Sequence, residues 1–168
     1  MVNNNKSQDT GNLKDPNIKL YSPYFWFKYF IRKLAYQIPP SRIKNFFLRL
    51  SGIVIEKDVF VGDRVLLIDG YRVKTIVLKK KSVISPGCIL MSAAWPYKSD
   101  IVLYNTKVTK AGSLVIHENA WVGAGSILLA DSSLGKRSIL GAGSVLTKKT
   151  NENEIWYGSP AIFQKKLY

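Results

Sequence analysis

The chain has 168 residues, 46% hydrophobic and 21% charged, which is typical of one compact domain with room for an arm or tail. No apolar run reaches the roughly 18 residues of a membrane-spanning helix, residues 1–14 hold no signal-peptide core, and one cysteine excludes a disulfide framework. We therefore expect a cytoplasmic protein, either free or at the inner face of the cell membrane. The net charge of +14 predicts an anionic partner, such as nucleic acid, a membrane surface or a phosphorylated ligand.

Aromatic and basic residues are concentrated near the start of the chain. Residues 1–19 are polar and are predicted to form a mobile tail, and residues 20–52 are predicted to form a helical arm. Ten of the twenty aromatic residues lie between Tyr21 and Phe47, and residues 21–52 carry six basic and no acidic side chains. This composition is that of a helix lying on a membrane surface.

Two prolines divide the arm into two helices. Pro39 and Pro40 cannot continue a first helix, predicted over about 23–36, and favour the start of a second over 41–50. Ser41 is a suitable N-cap and Gly52 a suitable C-terminal stop. Residues 21–50 either contact a membrane surface or pack their aromatic side chains on the following domain, and the sequence leaves both interpretations open.

A period of six residues fills the remainder. Aliphatic residues recur at this spacing, each followed four positions later by a small or hydroxylated residue in the last block. The aliphatic positions are Ile55, Val61, Leu67 and Val73, then Leu78, Ile84 and Leu90, and then Ile116, Val122, Leu128, Leu134, Leu140 and Leu146. The period fits neither an α-helix nor an alternating strand, but it fits an all-β solenoid, a parallel β-helix with three sides per coil.

The spacing between Leu90 and Ile116 is not a multiple of six. We therefore predict a β-helix over residues 53–157 with an inserted loop at about 95–115, followed by a C-terminal tail over 158–168. Long loops in compact domains often carry function.

Three stretches of this region resemble the hexapeptide-repeat acyltransferases, the left-handed β-helix family, and are closest to its sugar and polysaccharide O-acetyltransferase branch. They read VIHENAWVGAGSILL, SLGKRSILGAGSVLTKKT and IWYGSPAIFQKK. The resemblance implies a left-handed coil, a homotrimer, and acetyl-CoA bound as co-substrate, without a metal, in the groove between subunits. It implies transfer of an acetyl group to a sugar hydroxyl of a surface-polysaccharide or lipopolysaccharide intermediate.

The resemblance also assigns residues to this chemistry. It implies the CoA contacts Gly123, Ala124, Gly141, Ala142, Thr147, Lys148, Pro160, Lys165 and Lys166. Small residues let backbone amides approach pantetheine, and lysines offset phosphate charge. The acceptor site would include Trp95, Tyr97 and Trp121.

The general base is the point at which the sequence departs from the family. A histidine normally accepts the proton of the sugar hydroxyl, but Trp95 occupies the matching position. The single histidine, His117, is predicted to point outward from the coil, where it is either the base, approached across a subunit groove, or a surface residue without a catalytic role. Asp100 and Asp131 are further candidates.

Two other functions are compatible with the sequence. Loss of the histidine suits a catalytically degenerate β-helix that acts as a trimeric binding or scaffolding module. The positive charge suits nucleic-acid binding, but no helix-turn-helix, zinc-finger or RNP pattern accompanies the cluster at 79–81, so we expect no specific nucleic-acid partner.

Overall fold

A computed structural model describes residues 23–70, 75–94 and 110–168 of the chain. The tail predicted over 1–19 lies outside these ranges. The two predicted helices are confirmed as α1 (Pro23–Gln37) and α2 (Arg42–Leu50). Ser41 is the N-cap of α2, its hydroxyl oxygen accepting a hydrogen bond from the Lys44 amide at 3.2 Å. Gly52 follows with a φ of 98°, the left-handed conformation that suits glycine after a helix end. Neither helix of the described ranges is long and apolar enough to cross a membrane.

The repeat region forms a parallel β-helix in which each coil adds one strand to each of three sheets. Sheet A contains β1 (Val54–Ile55), β4 (Ile76–Leu78), β9 (Leu114–Ile116) and β12 (Ser133–Leu134). Sheet B contains β2 (Phe60–Val61), β5 (Val83–Ile84), β10 (Trp121–Val122), β13 (Ile139–Leu140), β15 (Glu154–Gly158) and β16 (Ala161–Lys166). Sheet C contains β3 (Leu66–Ile68), β6 (Ile89–Met91), β11 (Ile127–Leu128) and β14 (Val145–Leu146). The left-handed sense of the coil stays a prediction.

The inward residues of successive coils stack directly on one another. In sheet B, for example, Val122 pairs with Ile84 on one side and with Leu140 on the other. The described aliphatic residues of the six-residue period are all buried, as predicted. The small residues from Ala120 to Ser144 are buried as well, and the Ser126 hydroxyl donates to the Gly141 carbonyl at 2.9 Å. The core is therefore a continuous column between three short-stranded walls.

The helical arm closes the first coil with polar side chains. Carbonyl groups on the outer edge of this coil accept hydrogen bonds from four residues of α1 and α2. These bonds run from Arg32 to Leu67, from Lys44 to Gly62, from Asn45 to Val59, and from Arg49 to Ile55 and Glu56, at 2.7–3.2 Å. Burial lowers the pKa of Lys44, and the negative charge of Asp63 partly offsets this lowering. The arm thus packs on the β-helix through these polar contacts, through buried Ala35 and Leu48, and through half-buried Tyr36 and Phe47, whereas most of its aromatic side chains are exposed.

Two predicted boundaries need correction. The inserted loop ends earlier than 115, since β8 (Lys110–Ala111) pairs antiparallel with β7 (Ala93–Ala94) and the coil resumes with β9; residues 95–109 lie outside the described ranges. The C-terminal segment 158–168 is not a tail. Its residues 161–166 form β16, which runs antiparallel to β15 at the edge of sheet B. The strand pairs there because the last coil otherwise leaves backbone groups of β15 without partners.

Candidate functional site

The predicted site residues lie at the three corners of the coil, which we name by the sheets they join. The AB corner follows each sheet A strand, the BC corner each sheet B strand, and the CA corner each sheet C strand. Val115, Trp121 and Ile127 each pair with the residue 18 positions later in the next coil, so equivalent corners lie above one another. Residues that are distant in sequence therefore form columns on the surface.

The BC corner is a column of small exposed residues. Ala124 and Gly125 lie in one coil, and Ala142 and Gly143 in the next. The Gly143 amide donates to the Ala124 carbonyl at 2.8 Å, and the Gly125 amide donates to the Pro86 carbonyl of the preceding coil at 3.0 Å. A Cβ atom built on Gly125 or Gly143 would meet nothing within 4 Å. The column therefore offers backbone to a ligand without a side chain in front of it.

The two glycines that the sequence predicted as CoA contacts, Gly123 and Gly141, are needed for coil packing. Gly123 is buried, and a Cβ atom there would lie 2.5 Å from the Ala142 nitrogen. At Gly141 the same atom would lie 2.7 Å from the Tyr157 Cβ. Of these four predicted CoA contacts, Ala124 and Ala142 are thus the exposed pair.

The inserted loop leaves and rejoins the coil at the CA corner. Its returning end passes Gly112, whose Cα is packed directly against the carboxylate of Asp131 in the next coil, which leaves no space for a Cβ atom. Thr147 and Lys148 follow one coil later and are exposed. The Lys148 ammonium lies 5.6 Å from the centre of the Trp156 ring, over the end of the core. A carboxylate therefore lies at the base of the loop, on the same corner as two predicted CoA contacts.

The outer surface of sheet C joins the BC and CA corners. Its outward row contains Leu66, Ile89, Ile127 and Val145, which pair in register from coil to coil. An apolar strip is thus flanked by small residues on one edge and by Thr147 and Lys148 on the other.

His117 lies on a different corner, the AB corner. Its Nδ1 is 3.9 Å from Glu118 Oε2, and Glu118 Oε1 is 3.4 Å from the Lys79 ammonium. A hydrogen bond from its own backbone amide, together with Lys79, holds the pKa of Glu118 below its ordinary value. Within one chain, the structure does not bring His117 together with Asp131 or with the small-residue column.

The predicted acceptor residues are only partly described. Trp121 is exposed on the outer face of sheet B, where its indole nitrogen donates to the Ser85 hydroxyl at 2.9 Å. Trp95 and Tyr97 lie outside the described residues. Trp121 is thus on another side of the coil from the sheet C strip.

The predicted contacts near the nucleotide end of CoA are separated by β16. Pro160 lies in the turn between β15 and β16, next to the BC corner, since the Gly158 amide donates to the Ser144 hydroxyl at 3.1 Å. Lys165 and Lys166 lie at the opposite end of β16, where Lys166 pairs with Glu154. Only Pro160 therefore lies by the small-residue column of the same chain.

Sequence reasoning named neither Gly125 nor Gly143, although both lie in the repeated GAGS stretches. Their φ angles of 67° and 66° are those of the coil corner, so aligning the two stretches by corner would have found them. Among the described residues, no group of three His, Cys, Asp or Glu side chains could hold a metal ion.

The fold and the repeats define a class of protein. Residues 113–148 match the family model described as bacterial transferase hexapeptide (six repeats), in agreement with the resemblance stated from the sequence.

Particular relatives can also be named. The chain is 32% identical over 119 residues to a galactoside O-acetyltransferase from Lactococcus lactis, covering 68% of this chain and 46% of the relative. It spans about half the length of the curated relatives it matches. A hexapeptide-repeat acetyltransferase from Vibrio cholerae, complexed with acetyl-CoA, has a TM-score of 0.65 at 14% identity, covering 92% of this chain and 91% of that one. A maltose O-acetyltransferase from Clostridium difficile has a TM-score of 0.59 at 20% identity, covering 85% and 87%.

Proposed function

We propose that the protein is an acetyl-CoA-dependent O-acetyltransferase. One observation carries the proposal: the sheet C strip is bordered by the exposed pairs Ala124–Gly125 and Ala142–Gly143 on one edge and by Thr147 and Lys148 on the other. The small residues of the corner let pantetheine approach the backbone closely, and the apolar strip suits its hydrocarbon parts. The acetyl-CoA complex of the Vibrio cholerae structure supports this choice of co-substrate.

We further propose a sugar hydroxyl as the acceptor, within a surface-polysaccharide or lipopolysaccharide intermediate. The names of the Lactococcus lactis and Clostridium difficile relatives, a galactoside and a maltose O-acetyltransferase, support the sugar. The acceptor oxygen would attack the thioester carbonyl while a base takes its proton, and the carbon–sulfur bond would then break to release CoA. We also propose a homotrimer, in which a second subunit supplies the other wall of the groove.

The base has two candidates in the described residues. Asp131 lies at the foot of the inserted loop, on the corner that carries Thr147 and Lys148. His117 lies on another corner and would reach the reaction only across a subunit boundary. Asp131 is therefore the preferred base within one chain. If it is the base, Asp131→Asn lowers kcat at least about tenfold with little change in the KM for acetyl-CoA, whereas His117→Ala stays within about twofold of wild type. The reverse result assigns the role to His117.

Calorimetric titration with CoA tests the groove. Ala142→Phe fills the small-residue column and should raise the Kd for CoA at least about tenfold, because it covers the backbone that the ligand approaches. Lys136→Phe provides the matched control, since it adds the same ring to the exposed AB corner of the same coil. Equal affinities for the two variants would show that CoA does not bind here.

The alternative is a catalytically degenerate trimer that serves as a binding or scaffolding module. The tryptophan at position 95, where the family has its histidine, favours it. Thiol release from acetyl-CoA, measured with a galactoside and with maltose, separates the two functions. A scaffold shows no turnover in wild type and gains activity in Trp95→His, whereas turnover by the wild type excludes the scaffold.

A further inference from the structure

The two helices of the arm expose most of their large apolar side chains and bury three of their six basic ones. Lys28, Arg32 and Lys44 are 1%, 4% and 1% exposed, whereas Trp26 and Phe30 are 56% and 67% exposed. We define the aromatic face as the exposed apolar side chains of the arm: Tyr24, Trp26, Phe27, Tyr29, Phe30, Leu34, Ile43, Phe46 and Leu50. A helix on the surface of a protein usually turns its apolar side toward the core and its charged side toward water, and the arm departs from this arrangement.

This orientation is fixed by contacts beneath the helices. Arg32 forms a bidentate pair with the buried Asp69 at 2.6 and 3.0 Å, and Lys44 and Asn45 bind backbone carbonyls of the first coil. Turning the apolar side of either helix inward would leave these buried groups without partners, at a cost larger than the burial would return. The aromatic face therefore stays at the surface in the folded protein.

The chemistry of the face is that of a lipid headgroup boundary. Trp and Tyr side chains, with an apolar ring and a polar atom, favour this boundary over the centre of a bilayer. The rings of Trp26 and Tyr29 contact edge to face, with centres 5.8 Å apart. The face thus combines apolar surface with polar ring atoms and is not purely aliphatic.

The charge around the face is of one sign. Exposed Lys33 lies three residues after Phe30, and exposed Arg42 lies four residues before Phe46, so each basic group neighbours an aromatic ring on its helix. Residues 21–52 contain no acidic side chain. A surface of this kind is complementary to negatively charged headgroups.

We propose that the aromatic face docks the protein on the anionic surface of a membrane, with α1 and α2 lying in the plane of the headgroups. The β-helix then stands away from the bilayer on the opposite side of the arm, and the buried basic residues hold the arm to it. A neutral protein partner would not require the one-signed charge, and a second copy of this chain would bring like charges together.

Sedimentation of the full-length protein with vesicles tests the proposal. Wild type should bind vesicles of phosphatidylglycerol and phosphatidylcholine in preference to phosphatidylcholine alone. The double variant Trp26→Ser/Phe30→Ser should bind at least about tenfold more weakly, because it removes two of the rings that enter the boundary. Tyr157→Ser/Ile162→Ser is the matched control, since it removes an exposed apolar pair from the C-terminal hairpin, and it should bind as wild type does. Circular dichroism checks that all variants keep the fold.

Vesicles with brominated acyl chains locate the contact. Quenching of tryptophan emission should be lost in Trp26→Phe and kept in Trp121→Phe, which removes an equally exposed indole from sheet B. Lys33→Ser/Arg42→Ser should reduce the preference for anionic lipid and leave the weaker binding to neutral lipid unchanged. Equal binding by the Trp26/Phe30 variant and wild type would overturn the proposal. It would also be overturned if wild type ignored vesicles while that variant lost an oligomer in analytical ultracentrifugation, since a second copy would then cover the face.

Discussion

Replacement of Arg32 by Met tests whether the arm is held by buried polar contacts. The guanidinium donates five hydrogen bonds, two to Asp69, two to the Ser51 carbonyl and hydroxyl, and one to the Leu67 carbonyl, at 2.6–3.2 Å. Met keeps much of the side-chain volume but removes the Arg32 guanidinium from the Asp69 carboxylate, which is 1% exposed. Removing one member of a buried ion pair costs about 3–5 kcal/mol, which is a large share of the stability of an ordinary domain.

Urea unfolding at a fixed protein concentration, followed by the helical far-ultraviolet signal, measures this loss. Lys33→Met is the matched control, because it removes an exposed charge from the next position of α1 and should change the free energy of unfolding by less than about 0.5 kcal/mol. Adding Asp69→Leu to the Arg32 variant should recover at least about 1 kcal/mol, since no buried charge then lacks a partner. Similar losses for the Arg32 and Lys33 variants would refute the assignment of the arm's stability to this contact.

Three further changes have expected outcomes. Gly123→Ala should cost about 1–3 kcal/mol by forcing the coil at Ala142 apart. Gly125→Ala meets no neighbouring atom and should cost only about 1 kcal/mol, from the left-handed φ of 67°; thermal melts compare the two. Trp156→Ala should cost about 3–5 kcal/mol in urea titrations, because this ring closes the end of the core, whereas Trp156→Phe should recover over half of the loss. Burial opposes ionisation of Glu154, but the hydrogen bonds donated to its carboxylate outweigh burial and hold its pKa below the ordinary value. The stability that ionised Glu154 contributes is therefore present above the pKa of the unfolded state and is lost as the pH falls through the pKa of the folded state. Glu154→Gln should be less stable than wild type at neutral pH and should lose less stability on acidification. Unfolding measured at several pH values checks this.

The six-residue period predicted the β-helix because inward residues of equal spacing stack into one core. The strand β16 was missed because the segment from 161 to 166 has no alternating apolar pattern. It pairs with an open edge that exists only after the last coil has formed.

The orientation of the arm could not be derived from sequence for a related reason. Burial of Lys44 depends on the Gly62 carbonyl, whose lack of a strand partner follows from its place in the first coil. The column formed by Ala124 and Ala142 could be predicted from the sequence, because the two residues are 18 positions apart and one coil contains 18 residues. The position of His117 relative to a second subunit depends on packing between chains, which a repeat pattern does not describe.

The two ends of the β-helix are closed by different devices, a polar helix pair before β1 and an antiparallel strand after β15. The strands of the middle coils pair only with strands of the neighbouring coils. The contacts at the two ends therefore do not fix the number of coils between them. Duplication of one 18-residue unit, such as 115–132, would lengthen the molecule by about 4.8 Å while both ends kept their contacts. Without those ends, the same stacking rule would extend from one molecule to the next as a fibre.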